Sequence, residues 1–68
     1  MQTRFLRLPE VKERTGLSRS TIYDMISKGL FPRQIKLGIK AVGWVEEAIE
    51  NWIIAKINSI RLTEKVDQ

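Results

Sequence analysis

The stretch PEVKERTGLSRSTIYDMISKGLFP, residues Pro9 to Pro32, decides the fold. It reads as two short helices joined by a tight turn at Thr15-Gly16-Leu17. Pro9 suits the first turn of a helix, where its missing N–H costs nothing, and Glu10 sets a negative charge at the positive helix end. Gly16 is the natural residue after the helix, since it takes a positive φ without a Cβ clash. The first helix therefore spans about Pro9 to Thr15, with Val11 and Leu8 inward and Lys12, Glu13 and Arg14 in water. Leu17 then plugs the angle between the helices. Ser18 is a good N-cap, its hydroxyl able to accept from a free backbone N–H two or three residues on. Ile22 and Ile26 lie four apart with Met25 beside them and make one buried stripe. Arg19, Ser20, Tyr23 and Ser27 fall off that stripe, and Thr21 lies between the two faces. Gly29 ends the second helix, Leu30 and Phe31 fold back to cover the core, and Pro32 forbids continuation.

Working outward, the period changes after Pro32. Gln34-Ile35-Lys36-Leu37 alternates as a strand does, Gly38 supplies the turn, and Ala41-Val42-Gly43-Trp44 returns beside it. An isolated hairpin is barely stable in water, so Val42 and Trp44 must pack on the helices. Arg33, Lys36 and Lys40 line its rim, with Ile39 and Lys40 near its tip. The last element runs from about Glu46 to Ile60. Ile49, Trp52, Ile53, Ile57 and Ile60 keep helical spacing, interrupted at Lys56, and Glu46, Glu47 and Glu50 suit the helix start. Ile54, with Ile57 and Ile60, makes this helix more apolar than a lone domain needs, which suits a homo-oligomer seam. Upstream, Met1 to Leu8 enters as an extended arm. The expected fold is mainly α with a small β-hairpin, a winged helix-turn-helix. One domain covers 1–60, and residues 61–68 form a frayed tail.

Composition narrows the function. Sixty-eight residues hold one small core. The chain has neither cysteine nor histidine, which removes disulfides, thiolate metal sites and the commonest general base together. No nucleophile, base and orienter can be assembled, so an enzyme is not expected, nor a cofactor, a metal or a small-molecule ligand. No apolar run approaches a membrane span and no signal segment opens the chain, so the expected location is the cytoplasm. Charge is uneven. Met1 to Trp44 carries nine basic and three acidic residues, +6, while Val45 to Gln68 carries three and five, −2. A basic front and an acidic rear suit a protein that presents one face to a polyanion. An accidental asymmetry of a solvated surface would give the same count.

The residues RFLRLPEVKERTGLSRSTIYDMISKGLFPRQIKLGIKAVGWVEEAIENWI, Arg4 to Ile53, resemble the AlpA family of prophage-encoded regulators. That family is related to phage excisionases and, more distantly, to MerR-type winged helices. The likeness rests on the combination of L-P-E-V, T-G-L-S-R-S-T-I-Y, the K-G-x-F-P helix end, K-L-G, A-V-G-W and the late W-I. It implies a small DNA-binding protein that activates or represses prophage genes, often a neighbouring integrase gene. It further implies that Ser18 to Tyr23 lie on the recognition helix and that Gly38–Lys40 is the wing tip. Three positions depart from the pattern. Ile39 and Lys40 stand where the family often has a proline or small residue followed by arginine, Val45 replaces a polar residue after the tryptophan, and the tail beyond Ile53 lies outside the motif.

The expected partner is therefore double-stranded DNA, with the recognition helix about Ser18–Lys28 in the major groove and the basic wing Arg33–Lys40 on flanking DNA. Arg19 is the expected base reader, because a guanidinium can bond a guanine edge through two donors. Ser20 and Tyr23 add base or phosphate contacts. Ser18 opens the helix, and Thr21 and Lys28 meet the backbone. Arg33, Lys36 and Lys40 anchor flanking phosphates, which sets register rather than sequence. Two other readings use the same surface: an excisionase-like factor that bends DNA for site-specific recombination, and a protein-binding inhibitor or adaptor.

Overall fold

A computed structural model describes residues 4–67 of the chain, with side chains over 4–60. Six elements follow in order: β1 (Phe5–Leu6), α1 (Leu8–Thr15), α2 (Arg19–Ser27), β2 (Ile35–Gly38), β3 (Ala41–Val45) and α3 (Glu46–Asp67). The three strands form one antiparallel sheet in the order β1-β3-β2. The architecture is a winged helix-turn-helix, with β2 and β3 as the wing.

The helix pair forms for local reasons. Glu10 Oε1 accepts from the Arg7 amide at 2.9 Å and closes the start of α1. Gly16 leaves α1 at φ 74°, its N–H on the Lys12 carbonyl at 2.8 Å. Thr15 Oγ1 donates to the Val11 carbonyl at 2.8 Å and accepts from the Leu17 amide at 3.3 Å, so it pins both sides of the turn. At the far end of α2 the Leu30 amide bonds the Met25 carbonyl at 2.8 Å and the Gly29 amide bonds Ile26 at 3.0 Å. That pair of bonds is a Schellman ending, with Gly29 at φ 74°.

Leu6, Val11, Ile22, Phe31, Trp44 and Ile49 are the buried core. Each element except the exposed wing strand β2 thus contributes to it, directly or through the loop after α2. Both tryptophans hold that loop: Trp44 Nε1 donates to the Pro32 carbonyl and Trp52 Nε1 to the Leu30 carbonyl, each at 2.9 Å. Phe31 packs edge-on against Trp52 with ring centroids 4.8 Å apart. The loop that links the helix pair to the wing is therefore fixed by two indoles rather than by its own sequence. No buried side-chain nitrogen or oxygen among the described residues lacks a partner.

Several expectations are corrected. The arm is a strand where it is described: Phe5 and Leu6 pair with Val45 and Trp44, so the sheet has a third strand beyond the hairpin. Met1 to Thr3 lie outside the described residues. Helix α1 begins at Leu8, ahead of Pro9. Leu30 does not cover the core; its backbone turns the chain while its side chain stays 57% exposed, and Phe31 alone goes in. The wing turn is made by Ile39 and Lys40, since Gly38 ends β2 without a positive φ. With Gly38 opposite Ala41 and Lys36 opposite Val42, Leu37 is the extra residue of a bulge. Helix α3 has no side-chain cap after Val45; its Glu46 amide instead donates to the Arg4 carbonyl at 2.9 Å. It runs to Asp67, past the expected end at Ile60, and Gln68 lies outside the described residues. Along it Ile49 is buried, Trp52 and Ile53 are half-buried, and Ile54, Ile57 and Ile60 are exposed, which agrees with their reading as apolar surplus beyond the core.

Gly43 sits at the centre of the sheet. A Cβ there would come within 2.8 Å of Leu37 Cδ1 and 2.9 Å of the Leu6 carbonyl oxygen. The close crossing of β1, β3 and β2 requires glycine at this point.

Candidate nucleic-acid interface

The outer edge of α2 begins with a shared hydroxyl network. Ser18 Oγ accepts from the Thr21 amide at 3.2 Å, donates to Thr21 Oγ1 at 2.9 Å, and lies 3.3 Å from Ser20 Oγ. Ser18 and Thr21 are thus occupied in starting the helix, while remaining exposed with Ser20. Arg19, one residue into α2, lays its guanidinium 5.4 Å from the Tyr23 ring centroid. Tyr23 in turn packs edge-on against the buried Trp44, centroids 6.3 Å apart. Tyr23 is therefore half-buried rather than fully outward, because it covers Trp44. It forms a platform between the core and Arg19. A cation over an aromatic face gains about 0.5–1 kcal/mol at exposed sites, and here it limits where the guanidinium points.

Behind this edge, α2 and the wing share a groove of about 440 Å³ lined by Ile26, Ser27, Arg33, Gln34, Lys36 and Val42. Arg33 and Lys36 of the wing therefore stand beside the C-terminal half of α2. Lys40 lies at the wing turn, fully on the surface.

Ion pairing divides the cations. Arg14 on α1 reaches Glu46 at 2.8 Å and Glu50 at 3.2 Å, tying α1 to the start of α3. Arg4 pairs with Glu10 at 2.8 Å, and Lys28 pairs with Asp24 one helical turn back at 3.0 Å. Arg19, Arg33, Lys36 and Lys40 have no acidic partner among the described residues, and neither do Arg7 and Lys12. Lys28 is thus the one candidate already engaged by a carboxylate, although both side chains are more than half exposed. Arg7 and Lys12 are exposed and unpaired but were not singled out from the sequence. The signal available for them was the charge count of the N-terminal half. No cluster of acidic, cysteine or histidine side chains that could hold a metal occurs among the described residues. Nor is any described helix long and apolar enough to cross a membrane.

Residues 4–57 match the family model described as Prophage CP4-57 regulatory protein (AlpA). The chain belongs to this family. The match reaches residue 57, past Ile53 where the resemblance of motifs ended, and so takes in the first turn of the exposed part of α3. Among the relatives, an uncharacterized protein, ORF88 of Enterobacteria phage P4, is 52% identical over 56 residues, which is 82% of this chain and 64% of that relative. The DNA-binding transcriptional activator AlpA of Escherichia coli strain K12 is 43% identical over 56 residues, 74% of this chain and 80% of that relative. No solved structure gives a significant match.

Proposed function

We propose that this protein is a sequence-specific DNA-binding regulator of prophage genes that reads the major groove with α2 and grips flanking DNA with its wing. One observation carries the reading: Arg19 on α2 and Arg33, Lys36 and Lys40 of the wing region are all left without acidic partners among the described residues, whereas Arg14 and Arg4 are held by carboxylates. Unpaired cations along one helix edge and the adjoining hairpin are what phosphate recognition needs, because each one neutralises a phosphate and releases its counterion. The name of the Escherichia coli relative, a DNA-binding transcriptional activator, supports the same reading.

The roles divide by geometry. Arg19 reads a guanine edge through its two terminal donors, steered by Tyr23 beneath it. Ser20 adds a contact beside it. Ser18 and Thr21 present the helix N-terminus, which itself favours a phosphate. Arg33, Lys36 and Lys40 take backbone phosphates and set register, and Lys28 contributes less because Asp24 holds it.

A single module of this kind covers about 600–1,000 Å², so selective binding calls for a second copy on an adjacent site. We assign that contact to the exposed stripe Ile54, Ile57 and Ile60. Sedimentation should give a dimer that Ile57→Lys dissolves; a monomer at every concentration, on and off DNA, would remove the assignment.

Selection of bound fragments from a random DNA pool tests the main reading. The wild-type protein should enrich a motif, and Arg19→Ala should lose preference at one position at a cost of about 1–3 kcal/mol. An equal loss on every sequence would make Arg19 a phosphate contact instead.

A further inference from the structure

The wing ends in a residue that the fold does not use. Ile39 is 92% exposed, the most exposed of the large hydrophobic side chains described. It occupies a two-residue turn, between Gly38 and Ala41, with Lys40 as its companion. Neither turn residue has a positive φ, so the turn accepts isoleucine without requiring it. Burial does not explain Ile39 either.

Its surroundings do suggest a use. Lys40 follows it directly and Lys36 lies further down β2, neither paired with an acid among the described residues. The hairpin beneath is anchored through β3: Leu37 lies against Gly43, and Trp44, fully buried, closes the base through the Pro32 carbonyl. The hairpin thus presents one apolar side chain at its tip, beside Lys40.

We infer that Ile39 is an apolar wedge, inserted from the minor groove between two stacked base pairs, and that the protein bends the DNA it binds. Isoleucine is among the side chains that act in this way, partially unstacking a base step and kinking the duplex by about 20–90°. Lys36 and Lys40 hold the phosphates on either side while the step opens. The inference rests on the proposed DNA-binding reading and adds to it a mechanical consequence. Sequence preference would then extend beneath the wing, toward flexible pyrimidine–purine steps that Ile39 opens most easily.

The test uses the full chain and a duplex selected by the wild-type protein, labelled at both ends for energy transfer and carrying 2-aminopurine at successive steps beneath the wing. The wild-type complex should be bent, with 2-aminopurine fluorescence rising at one step. Ile39→Ser should straighten the duplex and quench that signal, Ile39→Met should keep both, and none should change the melting temperature, since Ile39 packs against nothing. A duplex with a single-nucleotide gap at the opened step should lose little affinity to Ile39→Ser. A straight wild-type complex, or a bend unchanged in Ile39→Ser, overturns the wedge while leaving DNA binding intact. Failure of the wild-type protein to bind any duplex at low salt overturns the underlying reading as well.

Discussion

Two sets of basic side chains on this small domain differ in their partners. On one side Arg14 is held by Glu46 and Glu50, two carboxylates more than thirty residues away in sequence, and joins α1 to α3. On the other side Arg19, Arg33, Lys36 and Lys40 have no such partners, and the nearest thing to a restraint is the Tyr23 ring under Arg19. A charge count treats these residues alike. Their partners separate them: a paired cation is spent on the fold, and an unpaired one is available to a polyanion. Glu46 and Glu50 of α3 neutralise Arg14, while Arg19, Arg33, Lys36 and Lys40, with Arg7 and Lys12, keep charge that no acid among the described residues offsets.

The largest effect that sharpens the comparison lies beneath it. Trp44 is fully buried, supports Tyr23, and donates to the Pro32 carbonyl. Trp44→Ala should cost about 3–5 kcal/mol, a large share of the stability of a domain this size, and chemical denaturation would measure it. A loss under 1 kcal/mol would mean that the reading edge does not depend on the core through Tyr23. Next comes Gly43→Ala. The added methyl group meets the Leu6 carbonyl, which is backbone and cannot move alone, so overpacking should cost about 1–3 kcal/mol, visible in the same experiment. Smallest in stability is Arg14→Ala. Its two ion pairs are partly solvent-exposed, so the cost should be about 1 kcal/mol or less, with DNA affinity nearly unchanged. A large drop in affinity instead would place Arg14 with the unpaired set.

How much of this was legible depends on range. The helix pair was readable because its signals are local: Gly16 and Gly29 at the helix ends, Ser18 at the start of α2, and Ile22 on its inner stripe. The hairpin was readable from alternation around Lys36 and from the return at Ala41. Strand β1 was not, since two residues carry no period and Phe5–Leu6 become a strand only by pairing with β3. Helical spacing in α3 put Ile57 and Ile60 in line with Ile49, and only their surplus over what a small core needs marked them, with Ile54, as a seam. Only the folded domain shows that packing ends near Ile53. Among the site candidates, Arg19 is exposed on α2, Arg33 just ahead of β2, and Lys36 and Lys40 on the hairpin. Tyr23 does not stand fully outward, because Trp44, twenty-one positions later, draws it in. The occupation of Lys28 by Asp24 lies at helical spacing and could have been found; the hold of Glu46 and Glu50 on Arg14 could not.

The central claim is that the unpaired wing cations Arg33, Lys36 and Lys40 grip DNA and that Arg14, held by Glu46 and Glu50, does not. Its most direct measurement is the dependence of DNA affinity on salt for the wild-type protein and for Arg33→Ala, Lys36→Ala, Lys40→Ala and Arg14→Ala. Each phosphate contact contributes about 0.9 to the slope of log affinity against log salt. The three wing variants should therefore each lower the slope by about that amount, while Arg14→Ala leaves it where the wild type has it. Equal slopes in all five proteins, or a fall confined to Arg14→Ala, would contradict the account.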